Sequence, residues 1–95
     1  MRVLTEVSGD VAAERAADLQ AAFTELLAAP LPDGLLRTQL LRGPDGHWRI
    51  QTLWRDRDAL DAMRSGGEPP AAPRLLREAG AEPVLTIWEV VGALD

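Results

Sequence analysis

The chain has no cysteine, tyrosine, asparagine or lysine, and only one histidine and one phenylalanine. Without cysteine, disulfide cross-links, thiolate nucleophiles and thiolate metal ligands are excluded, and the redox state of the compartment is left open. A lone histidine, His47, with no close acidic cluster argues against a metal centre, so no metal is expected. The ten basic residues are all arginine and face 15 acidic ones, for a formal net charge of -5. With a pI near 4.7, the chain is poorly suited to a nucleic acid or an anionic membrane surface. No apolar run approaches the length of a bilayer span, and the opening MRVLTEV is too short and too charged for a secretory leader. A cytoplasmic location and no membrane partner are therefore expected. No glycine-rich phosphate loop follows a strand.

What is present is one domain's worth of alternating pattern, residues 1–95. A chain of this size buries only roughly 60–65% of its unfolded surface, so association with another copy is expected. The organising stretch is Leu35 to Met63, LLRTQLLRGPDGHWRIQTLWRDRDALDAM. Leu35 to Arg42 reads as a strand, Gly43-Pro44-Asp45-Gly46 as a turn, and His47 to Trp54 as the returning strand of a hairpin. After Trp54 the period lengthens; Asp56 or Asp58 is placed to cap a helix whose apolar stripe is Leu60 and Met63.

Upstream, Val3, Thr5 and Val7 alternate with Leu4 and Glu6 as a short strand, and Ser8-Gly9-Asp10 is expected to end it, with Asp10 capping a helix. That helix spans Val11 to Ala29, with Leu19, Phe23, Leu26 and Leu27 on one stripe, and Pro30 to Gly34 stops it. Ser65 to Pro73 is expected to be a loop, Arg74 to Ala79 a short helix ended by Gly80, and Glu82 to Val91 a last strand.

Alternation puts Trp48, Ile50, Thr52 and Trp54 on one side of the hairpin's second strand and His47, Arg49, Gln51 and Leu53 on the other. In the last strand it separates Val84, Thr86, Trp88 and Val90 from Leu85, Ile87, Glu89 and Val91. The three tryptophans are expected to share one apolar side with Thr38, Thr52 and Thr86, leaving Glu6 and Glu89 together on the opposite side. The order βαββαβ predicts an α+β, ferredoxin-like fold: a four-stranded antiparallel sheet with its helices on one side. Because the last strand is apolar on both sides, the helix-free side is expected to be covered by a second copy, giving a homodimer packed sheet against sheet.

The residues Leu40, Leu41, Arg42, Trp54, Asp58, Ala59, Leu60, Asp61 and Ala62, on a leucine strand, a tryptophan-ended strand and an ALDA helix, resemble the antibiotic-biosynthesis-monooxygenase family of dimeric α/β barrels. The resemblance implies oxygenation of an electron-rich aromatic polyketide or quinol without metal or flavin, so no cofactor is expected. Such chemistry needs a dry slot for a flat ring, a group that handles a phenolic proton, and a donor or cation for the reacting anion. Trp54, at the matched position, and His47, the one side chain suited to base catalysis near neutral pH, are the expected catalytic residues. Trp48, Trp88, Thr38, Thr52, Thr86, Met63 and Phe23 are the expected substrate contacts. The chain departs from the family pattern in three respects: Thr38 stands where many members carry tyrosine, Met63 where many carry histidine, and the pocket asparagine of some members has no counterpart in a chain without asparagine. The haem-degrading branch needs a histidine beyond this helix, where the proline-rich loop stands, so haem degradation is not expected. The alternative reading is a non-catalytic ligand-binding or regulatory module on the same fold.

Overall fold

The computed structural model describes residues 1–94; Asp95, the last residue of the expected domain, lies outside them. Strands β1 (Val3–Asp10), β2 (Leu35–Arg42), β3 (His47–Trp54) and β4 (Val84–Glu89) form one antiparallel sheet in the order β2-β3-β1-β4. Helices α1 (Ala16–Ala28), α2 (Arg57–Arg64) and α3 (Ala71–Glu78) pack on one side of it. This is the α+β, ferredoxin-like arrangement. No helix among the described residues is long and apolar enough to cross a membrane.

The hairpin has the bounds its sequence predicts. Asp45 (φ 57°) and Gly46 (φ 77°) take left-handed conformations in succession and turn the chain. Gly46 O also accepts from the Val11 N–H at 2.9 Å, and a Cβ on Gly46 would come within 2.9 Å of Val11 O. Only glycine lets the turn sit this close to the first helical segment.

The structure corrects three expectations of local structure. First, β1 does not stop at Ser8: residues 8, 9 and 10 pair with Arg49, Trp48 and His47. Ladder hydrogen bonds to β3 override a local preference for a turn, so Asp10 ends the strand and caps no helix. The first helix starts later, through a single 3-10 turn (Ala13–Arg15), without a side-chain cap. Second, α3 begins at Ala71, inside the expected loop, because Leu75 and Leu76 are buried in the cluster with α1 and the sheet. Third, the last strand is shorter than the expected Glu82 to Val91: β4 spans Val84–Glu89, because its ladder with β1 runs only from Ser8 to Val3. Within its expected bounds β2 carries an irregularity between Leu35 and Arg37. The extra residue, Leu36, is 52% exposed, and Leu35 returns to the helix-facing side opposite Trp54.

The core is split in two. A larger cluster gathers Val7, Trp48 and Ile50 of the sheet with Val11, Leu19, Phe23, Leu75 and Leu76. A smaller one gathers Val3 and Trp54 with Ala59 and Leu60 of α2, flanked by Leu35, Met63 and Ile87. Asp56 holds α2 in place by accepting from the Ala59 N–H at 2.8 Å. This bond, followed by the neighbouring Arg55 side chain and charge, keeps the Asp56 carboxyl below the usual aspartate range.

Candidate functional site

Between the two apolar clusters the helix-facing side of the sheet carries a polar row. The register aligns Ile87, Thr5, Thr52 and Thr38 across β4, β1, β3 and β2. Trp54 Nε1–H donates to Thr5 Oγ1 at 3.1 Å, and Thr5 Oγ1–H donates to the Thr52 carbonyl at 3.5 Å. The Thr38 and Thr52 hydroxyls are 2.9 Å apart. Thr5 and Thr52 are buried, whereas Thr38 is half-buried on the edge strand.

The hydrogens in this row can be counted. Thr38 and Thr52 share one hydrogen bond, so one of their two hydroxyl hydrogens has no recipient within the row. Leaving the deeper Thr52 O–H unbonded costs about 1–3 kcal/mol. The favoured arrangement therefore has Thr52 donating to Thr38, and the Thr38 O–H is left as a free donor at the half-open edge. Thr5 was not singled out from sequence, yet it fixes the Trp54 ring. The signal was there, because Val3, Thr5 and Val7 alternate onto the same side.

Beside α2 lies an open depression of about 440 Å3, lined by Pro32, Asp33, Arg55, Asp58, Ala59, Ala62 and Met63. Ala59 and Met63 belong both to this wall and to the cluster around Trp54. A Cβ on Gly34 (φ 85°) would sit 2.4 Å from the Ala59 Cβ, so glycine there allows α2 to close down on the start of β2. Arg55 lies 3.8 Å from Asp33 and 3.4 Å from Asp56.

The fold brings together Trp54, Thr38, Thr52 and Met63 of the expected site residues. Trp48 and Phe23 are on the same side but in the larger cluster, both buried. Trp88 and Thr86 require correction. Trp88 pairs with Leu4 and Thr86 with Glu6, which places both on the helix-free side, where Trp88 is 52% exposed. Glu89, expected beside Glu6, instead pairs with Val3 and lies on the helix side of the edge strand. The physical reason is that β4 is apolar on both sides, so alternation identifies its two sets of residues but not which set faces the helices.

His47 lies on the helix-free side, apart from Trp54, at the head of a ladder of polar side chains. Its Nδ1 is 3.0 Å from Asp10 Oδ1, and its Nε2 accepts from Arg49 Nε at 3.2 Å. Arginine only donates, so the neutral ring carries its proton on Nδ1 toward Asp10. Arg49 Nη1 continues to Glu6 at 3.3 Å, Gln51 donates to Glu6 at 2.8 Å, and Gln39 donates to Gln51 at 3.1 Å. At the other end of the same side, Trp88, Leu4 and Leu53 form an apolar row.

The sequence profile described as antibiotic biosynthesis monooxygenase matches residues 2–69, which carry β1, α1, the hairpin and α2. The chain belongs to the antibiotic biosynthesis monooxygenase family. No curated protein matches it. Among solved structures, SnoaB, a cofactor-independent oxygenase from Streptomyces nogalater, shares 19% identity at a TM-score of 0.73, covering 98% of this chain and 96% of that one. The heme-degrading protein of Mycobacterium tuberculosis shares 24% at 0.73, with both chains fully covered. A conserved protein from Methanosarcina mazei shares 15% at 0.76, covering 94% and 92%. At these identities the likeness establishes a shared fold, and one fold can serve different ends.

Proposed function

We propose that this family member is a cofactor-independent monooxygenase acting on a flat, electron-rich aromatic of the polyketide or quinol class, in cytoplasmic secondary metabolism. The observation that carries the reading is the half-buried Thr38 hydroxyl, 2.9 Å from Thr52 on the side of the sheet that holds the Trp54 ring. A ring oxygen of the substrate accepts from Thr38, which stabilises negative charge as the phenol ionises. Trp54, held by Thr5, supplies a flat wall. Met63, flexible and shared between depression and core, yields as the ring passes inward from the depression, with Arg55 as the nearby cation. The substrate is its own reductant. In an anthrone the ring methylene becomes a carbonyl with one atom of O2, and the other atom leaves as water with the two methylene hydrogens. In a hydroquinone one ring C–H becomes C–OH, the ring is oxidised to the quinone, and the second oxygen atom leaves as water with the two hydrogens so released.

Oxygen uptake with a panel of anthrones and hydroquinones, in chelator-treated buffer, tests this. Turnover is expected, falling on the order of tenfold or more in Thr38→Val through loss of one hydrogen bond to a charged oxygen. No uptake with any of the panel would remove the oxygenase reading. One observation favours the binding-module alternative: the threonine row beside Trp54 is neutral throughout. Quenching of tryptophan emission by the same compounds without oxygen uptake would select it.

The homodimer is part of the proposal. Its support is the apolar row Trp88, Leu4 and Leu53 on the helix-free side, together with Val84 and Leu41, 61% and 37% exposed. Sedimentation at the mass of two 10.3 kDa chains is expected; a monomer at micromolar concentration would refute it.

A further inference from the structure

The helix-facing side of the sheet ends in a charge. Arg42 is the last residue of β2 and pairs with Trp48, so its side chain leaves the strand on the helix side, and its Cζ lies 5.6 Å from the centre of the Trp48 ring. No carboxylate lies within ion-pair distance of Arg42 among the described residues, whereas Arg49 and Arg57 each have one and Arg55 has two. Trp48 differs from Trp54 in the same sense. Its Nε1–H makes no hydrogen bond among the described residues, and no buried polar side-chain atom there lacks a partner, so this N–H reaches solvent. A depression of about 510 Å3 opens at this point, with Val11, Ala12, Ala13 and Ala16 on one wall and Arg42 and Trp48 on another. The space exists because three of the four facing residues, Ala12, Ala13 and Ala16, are alanines, whose methyl groups do not reach across it.

We propose that this depression binds a small organic monocarboxylate with a compact apolar body, at a site separate from the one beside Trp54. The guanidinium fork matches a carboxylate in plane and spacing, and the indole N–H supplies a further donor. Placed over the indole at cation–π distance, the guanidinium is steadied by the ring and keeps its N–H donors for a ligand. The alanine and valine wall takes the apolar body. A single cation, with Asp45 also on the lining, suits one negative charge and not two. The chain's net charge of -5 repels anions at long range, so the charge that attracts the carboxylate is the local one of Arg42.

The three indole N–H resonances of the full-length protein, assigned with single Trp→Phe variants, test this with benzoate as the probe. Benzoate is expected to shift the Trp48 resonance saturably with a Kd of about 1–10 mM, typical of a fragment-sized ligand, and to leave Trp54 in place. Arg42→Ala should weaken binding about tenfold or more, and Arg42→Lys, which keeps charge without the fork, by less. Ala12→Leu leaves the guanidinium and fills the space, so it should also weaken binding. Neutral benzamide should not saturate the shift. Four results would each overturn the site: no saturable Trp48 shift, an unchanged affinity in both Arg42→Ala and Ala12→Leu, equal binding of benzamide, or equal binding of inorganic phosphate. Movement of the Trp54 resonance in place of Trp48 would do the same.

Discussion

On its helix-facing side the sheet joins polar groups through neutral hydroxyls and an indole N–H, from Trp54 to Thr5 and from Thr52 to Thr38. On its other side it joins them through charges, from Asp10 through His47, Arg49 and Glu6 to Gln51. The two arrangements differ in what they cost when broken. Buried neutral donors and acceptors lose both partner and water together, so each break is expensive. Exposed ion pairs exchange a partner for water and lose little. The neutral side is therefore where a ring is held rigidly, and the charged side is where a surface stays adaptable until something covers it.

The largest expected effect comes from opposing two tryptophans. Trp54→Ala should destabilise the fold by about 3–5 kcal/mol in urea titration, whereas Trp88→Ala should change the stability of the monomer by less than about 0.5 kcal/mol. Equal losses would erase the distinction between the sides. Trp88→Glu sharpens it from the other direction: placing a charge in the apolar row should weaken self-association by about 2 kcal/mol or more, read by sedimentation at several concentrations. An unchanged dimer would show that this row is not the contact.

Next in size is the threonine row. Thr52→Val should cost about 1–3 kcal/mol, because Thr38 loses its donor within a half-buried setting. Adding Thr38→Val should cost less than the two single changes combined, with a coupling of at least about 0.5 kcal/mol. Strict additivity would mean that the hydroxyls do not interact.

The capping carboxylate gives a pH test. Asp56 titrates lower in the folded chain than in the unfolded one, so its contribution is fully present above the unfolded aspartate range and is lost as the pH falls through the folded value. Asp56→Ala should therefore lower the melting temperature clearly at pH 7 and much less at strongly acid pH, with Asp56→Asn milder at neutral pH because it keeps an accepting oxygen. A penalty independent of pH would show that the charge plays no part. The smallest effect is reserved for the ladder: His47→Ala in the monomer should cost no more than about 0.2–1 kcal/mol and less still in high salt.

Much of the fold was legible along the chain. The hairpin bounds, the two sides of β3, the stop after α1 and the cap of α2 follow from polarity patterns and turn residues that act over a few neighbours. Of the candidate site, Trp54, Thr52 and Met63 were legible because each sits on an element whose orientation its own sequence fixes. Thr5 was legible in principle, since one strand's alternation places it. The bond that makes it matter joins residues 5 and 54, and no local pattern carries a pairing across 49 positions.

What the chain alone determined is therefore its class and its family: alternation, periodicity and turn chemistry are short-range, and they specify elements and their order. Tertiary structure decided the rest. It chose which side of β4 faces the helices, because that strand is apolar on both sides and only its register with β1 distinguishes them. It set Leu35 facing inward across an irregularity in β2, and it left Arg42 over the Trp48 ring with no carboxylate of the described residues in reach. Each of these depends on where a partner strand or helix comes to rest, a long-range property of the packed chain.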